Sequence, residues 1–112
     1  MRFEVLMQML TYLYTDECQI TIENVMEIFE QSDQFGIERL KLMCEQAILM
    51  NLDTDNAAGI LLASDQHSAD RLRKRTLDFI VQNFDTVSKS TSFEQLLRSD
   101  VDLVVEILKA RQ

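Results

Sequence analysis

The sequence predicts an all-α protein, a bundle of about seven helices in stacked helical hairpins. Three observations lead there. Apolar residues recur at three- and four-residue steps along most of the chain. Its 112 residues include no proline and two glycines, Gly36 and Gly59, too few for a fold of many tight β-turns. The polar breaks between apolar runs are a few residues long, the usual length of helix–helix connections.

Phe3, Leu6, Met7, Leu10, Leu13 and Tyr14 form the first helical stripe, which ends at the polar Thr15-Asp16-Glu17. Met9 falls off that stripe, which fits either an interface or the place of a missing packing partner. Gln19-Ile20-Thr21-Ile22 alternates polar and apolar, the pattern of a short extended segment. Asn24 is an N-cap for a helix over Val25–Gln34, with Glu27 in capping-box position. Gly36 fits the left-handed position after that helix. Ile37, Leu40, Met43, Ala47 and Ile48 carry the next helix, bounded by Asn51. Asp53 or Thr54 caps a helix over Asp55–Asp65, and Ser68 caps another carrying Leu72, Leu77, Phe79, Ile80 and Val81. SKSTS reads as a loop. Thr91 or Ser92 then caps a short helix, and Ser99-Asp100 caps the last, with Val101, Val104, Val105 and Leu108. No period of 20–50 residues repeats cleanly, so no solenoid is expected.

The bulk numbers exclude several functions. Apolar residues make up 46%, enough for a packed core. Nineteen acidic residues against 11 basic give a net charge of −8, the wrong sign for nucleic acid or an anionic membrane. No apolar run reaches the ~20 residues of a membrane span. The start of the chain lacks the cleavage site of a signal peptide. Cys18 and Cys44 have no CxxC spacing, which fits a reduced, intracellular location in cytoplasm or nucleus.

No cofactor, metal or small-molecule substrate is expected, and no catalytic residue stands out. His67, the only histidine, has no paired ligand spacing and reads as a polar residue in an interhelical break. Cys44 lies within a helix and reads as a small buried hydrophobe; Cys18 lies in a loop. Asp53, Asp55 and Asp65 lack the glycine and glutamate of a calcium loop, and helix capping accounts for them. Arg71, Arg73, Lys74 and Arg75 are the one basic cluster. Without interleaved aromatics they read as a solvated helix face.

Two segments bear a family resemblance. MLTYLYT with ENVMEIFEQSDQFGIERLKLMCEQAI is similar to the second half of a BTB (POZ) domain. NLDTDNAAGILLASDQHSADRLRKRTLDFIVQNFDTV resembles the 3-box or BACK extension that follows it. The ERLK-MCE, NAA-IL-ASD and HSAD wording resembles the speckle-type POZ adaptors. The implied boundaries are 1–52 for the end of a BTB domain and 53–112 for the 3-box/BACK-like part.

The resemblance implies a non-catalytic substrate adaptor of a cullin-3 ubiquitin ligase that also self-associates. It places Tyr14, Thr15, Asn51 and Leu52 at the cullin-facing positions. Leu61, Leu62, Leu77 and Ile80 fall in the 3-box core, and Leu108 at a second self-association surface. The alternative is a homo-oligomeric scaffold of a BTB transcriptional or cytoskeletal regulator with no ligase role. Three departures stand out. The family's strand-rich first half of the BTB fold has no counterpart here. Asp16 replaces the glycine of the family's YTG motif, and Leu108 replaces a tyrosine. A helix built to pack on that first half leaves Phe3, Leu6, Leu10 and Leu13 open, a patch that invites self-association or another partner.

Overall fold

A computed structural model describes residues 2–21 and 24–111. All regular structure among them is helical, in eight helices. The chain divides into two compact units, one up to Asn51 and one from Leu52 onward.

The first unit holds α1 (Phe3–Thr15), α2 (Val25–Gln34) and α3 (Glu38–Met50). α2 packs on both α1 and α3. Its buried residues are Val5, Met9 and Tyr12 of α1, Val25, Ile28 and Phe29 of α2, and Leu40, Cys44 and Ile48 of α3. Arg2 Nε donates to Glu27 Oε1 at 2.7 Å, joining the start of α1 to α2. Glu27 is thus engaged elsewhere and Asn24 makes no side-chain cap, so the expected capping box does not form. Instead Asn24 Oδ1 accepts from Thr21 N and its Nδ2 donates to Gln19 O, closing the turn that precedes α2. Gln19 N donates to Gln8 Oε1 of α1. No strand forms over Gln19–Thr21, and Ile22 lies outside the described residues.

The second unit holds α4 (Ala57–Gln66), α5 (Asp70–Gln82), α6 (Phe84–Val87), α7 (Thr91–Ser99) and α8 (Val101–Ala110). α6, a single turn, is the helix the sequence pattern does not reveal. The core gathers Ala57, Ala58 and Leu61 of α4, Ile80 of α5, Val87, Phe93, Leu96, and Leu103, Val104 and Ile107 of α8. Leu52, Leu62 and Leu77 pack against it. The Phe84 ring meets Phe93 edge-on at 5.7 Å, and the Arg111 guanidinium lies 4.3 Å over Phe84. Arg73 bridges helices, reaching Asp65 of α4 at 3.0 Å and Glu106 of α8 at 2.6 Å.

The caps here differ from expectation at three points. Ser90, not Thr91 or Ser92, caps α7 by accepting from Phe93 N, while Ser92 Oγ donates to the Asp55 carbonyl. Ser68 does not cap α5; it ends α4 with a positive φ of 53°. Asp53 does not cap α4 itself, which starts two residues later than the pattern places it, with Asn56 at its N-cap position; Asp53 Oδ1 accepts from Asp55 N and Asn56 N and closes the turn before the helix. Asp100 caps α8 through Leu103 N.

The two hairpins α2–α3 and α4–α5 are copies of one design. Every helix boundary in the second is displaced by 32 residues from the first: 25–34 against 57–66, and 38–50 against 70–82. Nine of the 28 positions from Asn24 to Asn51 are identical 32 residues later, enough to fix the register. The joints match bond for bond. Asn24 and Asn56 each accept from the backbone N three residues earlier, both at 2.8 Å. Ser32 and Ser64 are buried and donate to the carbonyls of Phe29 and Leu61, both at 2.8 Å. Ile37 N bonds Ser32 O, and Ala69 N bonds Ser64 O, each at 2.9 Å, across a left-handed Gly36 in one and Ser68 in the other. This is the Schellman ending, in which the left-handed residue turns the chain and satisfies the last carbonyls. Lys41 pairs with Asp33 as Arg73 pairs with Asp65, and Asn51 and Asn83 each donate back to the carbonyl four residues before. A repeat is therefore present, as a single duplication and not as an array.

Candidate functional site

α1 is apolar on two faces, and only one of them is buried. Val5, Met9 and Tyr12, at steps of four and three, face the core. Phe3, Leu6, Met7, Leu10, Leu13 and Tyr14 are exposed, Phe3 by 74% and Tyr14 by 87%. The expected stripe is thus the outer face of the helix. Met9, expected at an interface or against a missing packing partner, is a core residue. The open face continues into a groove of about 370 Å³ lined by Leu6, Met9, Leu10, Leu13, Phe35 and Ile37. Phe35 and Ile37 belong to the turn between α2 and α3, which the left-handed Gly36 bends so that both line the wall. Their part in the groove was not legible in the sequence, because no periodicity links a turn to a distant helix.

Tyr14 and Thr15 close α1. Thr15 Oγ1 donates to Thr11 O, and the helix ends at Asp16, whose φ of 59° and N–H to Tyr12 O make a left-handed stop. Asp is one of the few residues with a side chain that tolerates this backbone, which accounts for Asp16 where the family motif has glycine. Asn51 is exposed and donates to Ala47 O at the end of α3. Leu52 is half-buried against the core of the second unit. Leu108 is exposed on α8, on the same side as Val105 one turn before it and Val101 two turns before it.

The residues weighed for chemistry have structural places. Cys44 is fully buried, and burial first, then Cys18 and Glu45, push its thiol up to about 12, far from a thiolate at neutral pH. Burial also raises the Cys18 thiol. His67 ends α4 with its N–H on the Ala63 carbonyl. Asp65 is paired with Arg73. Among the described residues no group of three or more His, Cys, Asp or Glu is placed to hold a metal ion. No described helix is long and apolar enough to cross a membrane. Arg71, Lys74 and Arg75 are exposed on α5.

What this arrangement offers is apolar surface and exposed aromatic side chains, the chemistry of protein recognition. Comparison with known proteins agrees. Residues 1–52 match the family model of the BTB/POZ domain, and residues 57–110 match that of BACK, "BTB And C-terminal Kelch". TD and POZ domain-containing protein 2 of Mus musculus is 32% identical over 106 residues, 93% of this chain and 29% of the relative. TD and POZ domain-containing protein 4 of Mus musculus is 31% identical over 105 residues, 92% of this chain and 28% of the relative. Protein maternal effect lethal 26 of Caenorhabditis elegans is 28% identical over 108 residues, 96% of this chain and 27% of the relative. The chain spans less than a third of the length of these relatives.

Proposed function

Since the chain belongs to the BTB/POZ family over residues 1–52 and to the BACK family over residues 57–110, we propose that it is a non-catalytic interaction module that serves a cullin-3 ubiquitin ligase as part of a substrate adaptor. The observation that carries this reading is the open apolar face of α1 ending at Tyr14, 87% exposed beside Thr15. An amphipathic tyrosine at the end of an apolar strip is a good anchor for a partner helix, because it buries a large ring while its hydroxyl remains hydrated. Asn51 and Leu52, at the junction of the two family matches, are the second contact in this reading, and the adaptor works in the cytoplasm or nucleus.

The test is capture of the purified cullin-3 N-terminal domain by the immobilised chain. Retention is expected, with Tyr14→Glu weakening it at least about tenfold, the scale of one interface anchor. Leu52→Asp is expected to weaken it further, but Leu52 also packs on the core, so circular dichroism must first show that the variant is folded. A folded chain that retains no cullin sinks the proposal.

A second reading is favoured by α8. Val101, Val105 and Leu108 leave an apolar strip there, and α7 exposes Leu97. In that reading the chain is a homo-oligomeric scaffold built through this strip and through Phe3, Leu6 and Leu10. Light scattering distinguishes the two: a concentration-dependent oligomer, indifferent to cullin and dissolved by Leu108→Asp, supports the scaffold.

A further inference from the structure

The duplication provides an internal control for reading surface residues. Positions that serve the hairpin itself recur in both copies, whereas surface features confined to one copy answer to something outside it. On the outer face of α5, Arg71, Lys74 and Arg75 stand at i, i+3 and i+4, so they share one side of the helix. All three are exposed, and none forms an ion pair among the described residues. The corresponding residues of α3 are Arg39, Leu42 and Met43, so the first copy shares the charge at Arg71 and lacks the two at Lys74 and Arg75.

The second unit has carboxylates in excess, ten acidic residues against eight basic from Leu52 onward. Three other arginines of this unit are engaged: Arg73 with Asp65 and Glu106, Arg98 with Glu94, and Arg111 over Phe84. Arg71, Lys74 and Arg75 are left out of that pairing. Arg71 repels Lys74 and Arg75 at this spacing, while Asp70 and Asp78, each four residues from Lys74, offset part of that repulsion.

We infer that this face of α5 docks a short acidic peptide segment of a partner protein. The three cations span about 6 Å along the helix, one turn, which suits two or three carboxylates of an extended peptide. A duplex nucleic acid fits less well. Its charge is continuous, about one per 1.7 Å, and beyond the cluster it runs onto a chain of net charge −8. Asp78 closes the face one turn past Lys74 and limits the docked segment to the N-terminal part of α5. This surface is independent of the cullin reading, since it involves none of Tyr14, Thr15, Asn51 or Leu52.

The experiment is fluorescence anisotropy on the full chain at about 50 mM salt, where surface charge is weakly screened. The probes are a labelled octapeptide of alternating glutamate and aspartate, an octapeptide of glutamine and asparagine, and a duplex DNA of about 20 base pairs. Saturable binding of the acidic probe, at least about tenfold tighter than the neutral one, is expected. Arg71→Glu/Lys74→Glu/Arg75→Glu loses about tenfold or more, and Arg98→Glu/Lys109→Glu, elsewhere on the unit, does not. The Gln triple variant, milder on folding, shows an intermediate loss if the Glu triple does not fold. Equal binding of the two octapeptides overturns the inference, as does retention of acidic-probe binding in the triple variants. DNA binding as tight as the peptide assigns the face to polyanions in general and overturns it. So does sedimentation showing a salt-sensitive oligomer dispersed by the triple variants, which makes the occupant a second copy's acidic first unit.

Discussion

Three residues in the left-handed region each end a helix: Asp16 for α1, Gly36 for α2 and Ser68 for α4. Only the glycine adopts this backbone without strain, since a Cβ there crowds the following carbonyl. Gly36→Ala is expected to destabilise the chain by about 1–2 kcal/mol, wholly through the backbone, because a Cβ at Gly36 meets nothing within 4 Å. Gly59 also has open space around it but lies inside α4, so Gly59→Ala is expected to stabilise by about 0.5–1 kcal/mol. Urea denaturation of the two variants checks the opposite signs. At this scale the sequence was legible in part. Gly36 declared its role, because glycine in a polar break has one common use. Ser68 did not, because serine is far more often an N-cap, and nothing local shows that the previous helix borrows it.

At the scale of elements, α1 decides how much of the site was readable. Periodicity identified a helix over nearly the right residues but could not choose between two apolar faces. Val5, Met9 and Tyr12 differ from Leu6, Leu10 and Leu13 by direction alone, and the direction is fixed by where α2 lies. Met9→Ala is therefore expected to cost about 2–5 kcal/mol of stability, whereas Leu13→Ala, 60% exposed on the open face, stays within about 0.5 kcal/mol. Thermal melts of the pair test the assignment, and near-equal losses would refute it. α2 was legible to the residue because Gly36 marks its end and its polar face is unambiguous. α6 was not, since four residues are too few to show a period. The open face of the groove could be read from α1, but its wall at Phe35 and Ile37 required tertiary structure.

At the scale of the whole molecule, charge is unevenly shared. Residues 1–51 hold nine acidic and three basic residues, so they carry most of the −8. The second unit has its own connected core, from Ala57 to Ile107. We expect residues 52–112, produced alone, to unfold cooperatively with about 3 kcal/mol of stability, the margin of a unit that small. A helical circular dichroism spectrum with a single sigmoidal melt is the outcome sought; a gradual melt would show that the unit depends on the rest of the chain. The duplication was hard to see in the sequence for a physical reason. Each copy packs against different neighbours, so buried positions have changed residue, as with Phe29 and Leu61 or Cys44 and Thr76, and few identities mark the register.

Two hairpins of one design on a single chain also present a folding hazard. Each closes through contacts between neighbouring helices, so both form early, and a hairpin from one molecule resembles its twin in another. Exchange between twins is a route to tangled assemblies in repetitive proteins. Here the copies have diverged where they would have to substitute for each other. Ala57 and Ala58 leave room for the second unit's own core, whereas Val25 and Met26 in the first copy are too bulky to take their place. Ala57→Val/Ala58→Met removes that mismatch in size and is expected to overpack the second unit's core, at a cost of about 1–3 kcal/mol.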